Sequence, residues 1–406
     1  MIRFHTMLRP AAAAAAVLLS ACGGGNNNTT ENNMPVAFSE FGQPNFNALT
    51  PNAGQGTNSL GLGAPQGGIA TDGTHFYIAD YGNNRILGWN HLPADSNSQP
   101  DFVLGQPDFT SNAPDTTQAT LAQPSSVWIG QGHLVVTDSG NNRVLIWNTL
   151  PTATGTAPDV VIGQSSFTTR DAPQTPSASS LHLPVSAALA HNQLFVTDQG
   201  NNRVLIWNSI PSSGQAADVV LGQQNFASNT PATDPSTGLT TTQTPSGFTQ
   251  PGGLWTDGFR LLVCDTGDNR VLFWSQIPTS SGIQATDVIG QLDFSRVNSG
   301  VSATTMFNPF GVTSDGTQIF VADSSNNRVV TFPSFPIANG QAAVGQFGQN
   351  TLTARAPNDD NQDGQADNNP IQATNRTLNG PSGVTVNNGV LYITDRNNHR
   401  ILFFAE

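Results

Sequence analysis

Asp138-Ser-Gly-Asn-Asn-Arg143-Val-Leu-Ile-Trp147 recurs, with small changes, five more times between residue 80 and the C-terminus. The copies open at Asp80, Asp138, Asp198, Asp265, Asp323 and Asp395. In each, an Arg stands five residues later: Arg85, Arg143, Arg203, Arg270, Arg328 and Arg400. Four positions beyond the Arg comes an aromatic residue, namely Trp89, Trp147, Trp207, Trp274, Phe332 or Phe404. An apolar, β-rich run lies on either side, as in Phe76-Tyr-Ile-Ala before Asp80. Two such runs joined by a short Gly/Asn-rich segment predict an antiparallel hairpin, because Gly and Asn tolerate the positive φ of a tight reversal.

Each hairpin is flanked by two further runs. Upstream, a Pro opens a segment of small and β-branched residues, as in Pro124-Ser-Ser-Val and Pro309-Phe-Gly-Val. Pro suits the first residue of a strand. Downstream comes Val103-Leu-Gly-Gln-Pro-Asp-Phe109, matched by Val161 to Phe167, Val220 to Phe226, Val288 to Phe294 and, more loosely, Val344-Gly-Gln-Phe347. Four short strands per unit, repeated from Arg85 to Arg400, predict an all-β, six-bladed β-propeller. The sixth unit reaches Phe403-Phe404-Ala-Glu406 without a fourth run, while Phe41-Gly-Gln-Pro-Asn-Phe46 stands alone near the start. The N-terminal strand is therefore expected to complete the last blade and close the ring, which removes exposed sheet edges.

Pro-x-Gly-Val followed by Ile-Phe-Val-Ala-Asp323 and Ser-Ser-Asn-Asn-Arg328-Val resembles the NHL repeat, and the resemblance covers residues 38–406. It implies a propeller of four-stranded blades. Proteins with similar repeats include RNA-binding and protein-binding propellers, metal-using lyases and surface proteins, so the resemblance leaves function open. Blades five and six depart from the phrase with Ser325 and Asn397 at the Gly position, blade four has Asp268 for Asn, and blade six has His399 before its Arg.

With 406 residues and a net charge of −13, and no Lys at all, the chain is a poor partner for nucleic acid. Arg3 and Arg9, the apolar run Ala11 to Leu19 and then Leu19-Ser-Ala-Cys22 have the layout of a secretory signal rather than a membrane span. This resembles the lipobox of bacterial lipoproteins. The resemblance implies removal of residues 1–21, acylation of Cys22 and, with Gly23 rather than Asp after the Cys, an outer-membrane location in the cell envelope. Residues 22–37 then read as a flexible tether, and 38–406 as the propeller, held at the membrane by the lipid alone and expected to be monomeric. Cys264, in an apolar run, is expected to be a buried free thiol.

Six Arg at one spacing could form a ring for an anionic ligand. The reading adopted here is that each pairs with an Asp and fixes the blades, since a structural repeat demands identical spacing whereas a site breaks symmetry. Function is therefore sought where the repeat is irregular: the crossings between blades at 227–247, 295–306 and 348–377, which share one face with the hairpin turns. That face is the expected binding face for a protein or carbohydrate ligand. Within it, Asp359, Asn361, Asp363, Gln365 and Asp367 with Gly364 match the opening of a calcium loop. Pro370 stands where an EF-hand has Glu, so the stretch is closer to the short calcium loops of thrombospondin type 3 or dockerin repeats, with Ca²⁺ in a structural role. His75, His91, His133, His182, His191 and His399 show no metal-ligand spacing, and no nucleophile elbow or phosphate loop is present. Binding or scaffolding is the favoured function; the alternative is a metal-dependent lyase or hydrolase with its site in the central channel.

Overall fold

The computed structural model describes residues 34–231, 245, 247–333, 335, 338–367 and 372–406. The signal and Cys22 lie outside the described residues, as do 232–244 of the first long crossing and Pro370. Among the described residues no helix is long and apolar enough to cross a membrane.

Six antiparallel sheets of four strands each form the described body. Blade one consists of Ile69–Thr71, Phe76–Asp80, Arg85–Trp89 and Phe102–Leu104, in sequence order from inner to outer strand. Blades two to five repeat this order over residues 124–162, 184–221, 251–289 and 309–347. In the sixth, Pro381–Asn387, Val390–Asp395 and Arg400–Ala405 are completed by Ser39–Phe41, with Ser39 opposite Phe403 and Phe41 opposite Ile401. The ring closes as the sequence predicts.

Second and third strands are apolar on both faces, because each is covered by the next blade on one side and the previous blade on the other. Trp89, Trp207 and Trp274 are fully buried between blades. Met34 and Ala37, which the sequence reading assigns to the tether, are buried as well, and the Ala37 amide donates to Asn375 O at 2.8 Å. Cys264 is a buried free thiol, its ionisation pushed well up by burial.

The hairpin turn differs from the expected one. Each is a single 3-10 turn whose positive φ, 51–56°, falls on the residue just before the Arg: Asn84, Asn142, Asn202, Asn269, Asn327 or His399. The Gly serves a different purpose: a Cβ on Gly82 would stand 2.2 Å from Gly63 O. Small residues also let the inner strands touch. A Cβ on Gly383 would meet Gly67 O at 1.9 Å, and one on Gly253 would meet Phe310 O at 2.7 Å. Six strands in a touching ring enclose an opening about one strand wide, roughly 5 Å.

The fourth strand of blade five corrects the sequence alignment. Phe347-Gly348-Gln349 to Leu352 occupies the register of Leu104-Gly105-Gln106 to Phe109, three residues later than Val344-Gly-Gln-Phe347 suggests. The Gly must hold φ near +88°, as Gly105 and Gly348 do. The following Gln must reach the carbonyl of the left-handed residue, as Gln106 reaches Asn84 O at 2.9 Å and Gln349 reaches Asn327 O at 3.1 Å.

Candidate functional site

The repeated charges are consumed by the frame. In all six blades Arg Nε lies 2.7–2.8 Å from the Oδ2 of the Asp in its own hairpin, and both side chains are buried. The remaining guanidinium N–H groups bond carbonyls of the crossings that enter and leave the blade. Arg203, for example, donates to Ser177 O and Ser180 O at 2.9 Å and to Phe226 O at 2.6 Å. The Asp accepts in addition from a backbone amide and, in five blades, from an Asn three residues on. Burial raises the carboxyls of Asp138, Asp198 and Asp323 above the usual range, against the pull of their arginines. The six repeat arginines therefore form no ring of free guanidinium groups.

The central channel encloses a cavity of about 170 Å³, lined by inner-strand residues such as Ile69, Trp128, Leu254, Val312 and Thr385. None of its lining residues is ionisable. Trp128 packs against the cores of three different blades, and its Nε1 donates to Leu189 O at 3.2 Å. Several hydroxyls around it are engaged: Thr385 Oγ1 donates to Ile69 O at 2.8 Å, and Ser126 and Thr137 bond each other.

Among the described residues, two open pockets next to the channel bear on function. On the face opposite the insertions, a 360 Å³ cleft gathers Asp257, Asp315 and Glu406 beside Trp255. Burial and the adjacent Asp315 push the Glu406 carboxyl up to about 7. The insertion-bearing face carries a 300 Å³ pocket between the turns of blades five and six, lined by Phe310, Ser325, Asn327, Ser382, Arg396 and Asn397 among others. Two of the departures from the repeat phrase, Ser325 and Asn397, meet there. Arg396 and its neighbour Tyr81 occupy the most variable position inside the turn, the one just after the Asp, where variation looks like surface drift. Their size, among Ser139, Gln199, Thr266 and Ser324 at the equivalent positions, is the signal that could have found them.

Residues 378–404, which hold the first two strands of blade six and all but the last residue of its third, match the NHL repeat. The last blade carries an NHL repeat. The same side-chain pattern is built into the other five blades. A search of the curated proteins gives no match. Among solved structures, a Bacteroides thetaiotaomicron protein of unknown function is similar over 90% of this chain and 75% of its own, at 13% identity and a TM-score of 0.51. An auxiliary nutrient binding protein from Bacteroides ovatus is similar over 92% of this chain and 77% of its own, at 11% identity and a TM-score of 0.50. A gluconolactonase from Xanthomonas campestris shares 13% identity over 92% of this chain and 97% of its own, with a TM-score of 0.45. At these identities the likeness concerns the fold.

The 359–367 loop offers hard oxygen donors, the chemistry calcium requires. Its side chains are turned onto the loop itself: Asp359 accepts the amides of Asp363 and Gly364 at 3.2 and 2.9 Å, Asp363 accepts that of Gln365 at 2.8 Å, and Asp367 accepts that of Asp360 at 2.9 Å. Asn361 donates to Asp367 Oδ1 at 2.9 Å. Among the described residues no three acidic, His or Cys side chains converge on a common metal position. The crossing is docked by a reciprocal amide pair, Asn358 with Asn398, at 3.0 and 2.8 Å.

Proposed function

We propose that this propeller is a binding module of the bacterial cell envelope, anchored by lipid at Cys22 and taking a protein or glycan ligand on its insertion-bearing face. The observation that carries the reading is the division of labour among polar groups. The repeated Asp–Arg pairs are buried in the frame, the channel lining holds no ionisable side chain, and Ser325, Arg396 and Asn397, which break the repeat, gather on the insertion-bearing face in the 300 Å³ pocket at the mouth of the channel, the mouth pocket. Loops that vary on a rigid scaffold are the usual seat of recognition. No feature of the channel lining favours a metal-dependent lyase or hydrolase there.

Screening the purified chain against envelope glycans and envelope protein fractions tests the proposal. Binding abolished by grafting short crossings in place of 295–306 and 348–377 supports it, and binding unchanged by those grafts refutes the choice of face. Loss of palmitate incorporation in Cys22→Ala tests the anchor. Calcium in the 359–367 loop belongs to the same proposal: we expect calorimetric heat on adding Ca²⁺ that disappears in Asp363→Ala, and absence of heat rejects the ion.

A further inference from the structure

The turn position just after each Asp has a repeated task that stops at two seams. In blades two to five its side chain donates to the carbonyl of the Pro that opens the next blade. Ser139 reaches Pro184, Gln199 reaches Pro251 at 3.4 Å, Thr266 reaches Pro309 at 2.8 Å and Ser324 reaches Pro381 at 2.6 Å. At the seams on either side of blade one the residues are Arg396 and Tyr81, and neither makes that bond among the described residues. Ser382 takes over the Pro65 carbonyl at 3.5 Å. Freed of the fastening task, the Arg396 guanidinium lies over the Tyr81 ring, 5.4 Å from its centre. It is half-buried and has no acidic partner among the described residues.

We infer that Arg396 is the anchor of a binding site for a carboxylate-bearing sugar, a uronic acid within a glycan, seated in the mouth pocket. The inference rests on the binding-module reading above and names its ligand class. A guanidinium held over an aromatic face is restrained in position while its planar fork of N–H donors stays free to meet a carboxylate with two parallel hydrogen bonds. No carboxylate lines the pocket, so this positive charge stands uncompensated in a chain of net charge −13. One cation matches the single charge of a carboxylate better than the double charge of a phosphate monoester. The other walls suit a sugar. Phe310 offers an apolar face, and Asn397 keeps its Oδ1 open while its Nδ2 bonds Asn379 at 3.1 Å. Ser325 accepts from Asn308 at 3.1 Å and retains its own proton for donation. A volume of 300 Å³ is at the lower end of small-ligand sites, enough for one sugar ring of a longer chain.

The test is titration of the full chain, by calorimetry, with a galacturonate oligosaccharide, its methyl ester and a peptide bearing a free C-terminal carboxylate. The expected result is binding of the acidic sugar that weakens at least tenfold on esterification, in Arg396→Ala and in Tyr81→Ala, and that weakens with salt. Arg396→Ala removes no ion pair, so its melting temperature is expected to match the parent and to report that the fold is intact. Equal affinity for acid and ester, no binding of the acid, or unchanged affinity in Arg396→Ala overturns the inference. Preferred binding of the peptide also overturns it, replacing the sugar by a protein terminus. If envelope ligands still bind the crossings while the mouth pocket ignores the acidic sugar, the ligand class falls and the binding-module reading stands.

Discussion

Asp268→Asn is expected to stabilise the protein, and more so at alkaline than at acid pH. In five blades an Asn amide donates to the buried Asp Oδ2 at 2.7–2.9 Å. Blade four has Asp268 at that place, so a second acid faces Asp265. Burial, with Asp268 adding to it and Arg270 opposing, pushes the Asp265 carboxyl up to about 7, and Asp268 is raised too. A carboxyl whose folded value lies above its unfolded 3.8 favours the folded state only while protonated. Its contribution is therefore lost as pH rises from about 4 through about 7. Restoring the Asn supplies a charge-assisted hydrogen bond worth about 1.5–3 kcal/mol. With an unfolding entropy of about 2.1 cal/mol/K per residue over about 370 residues, this corresponds to a rise of about 2–4 °C in melting temperature. Scanning calorimetry at pH 8 and pH 5 decides the matter: the gain should be full at pH 8 and shrink at pH 5, where the two carboxyls share a proton. A gain of the same size at both pH values, or none at pH 8, refutes the reasoning.

Arg203→Ala leaves Asp198 buried without its counter-charge and strands three carbonyls, a loss of about 3–5 kcal/mol; an unchanged melting temperature would free the arginines for a ligand role. His399 performs at the closing seam what Asn does at the other five, its Nδ1 accepting the Ala64 amide at 2.8 Å. Burial holds the ring below its ordinary 6.5, so its contribution is complete above 6.5 and disappears as pH falls through the folded value. Denaturant midpoints of His399→Asn should accordingly fall less than those of the parent between pH 7.5 and pH 5. Glu40, whose buried Oε2 makes no hydrogen bond and only a 3.6 Å ion pair with Arg400, stands where four other blades have Val103, Val161, Val220 and Val288. Burial lifts its carboxyl to about 7, so Glu40→Val should raise the melting temperature at pH 8 by more than at pH 5, a pattern the same scans would detect.

The frame was legible because its chemistry is repeated. A buried Arg–Asp pair tolerates no change in spacing, so the six copies advertise both the hairpins and their fastening. Blade five misled the alignment because Gly345-Gln346 imitates Gly348-Gln349 three residues early, and only backbone φ separates them. The sequence shows that Arg396 and Tyr81 are larger than their counterparts but not why that matters, since nothing in it says that the side chain after each Asp crosses a seam. That relation exists only once blades are side by side, and it alone turns Arg396 and Tyr81 from variable turn residues into exceptions.

The pairing of Glu40 with Leu402 also sets an order of events in folding. It joins positions separated by nearly the whole chain, whereas every other blade is assembled from residues close in sequence. The entropy of closing so long a loop grows only logarithmically with its length, but contacts of such wide separation form late. While the chain is being made, Ser39–Phe41 has no partner until blade six has appeared, and blade one must wait with the face that packs on Tyr392, Ile401 and Phe403 uncovered. Acquisition of protease resistance by the N-terminal strand should therefore coincide with completion of the last hairpin rather than with the folding of the blades that precede it.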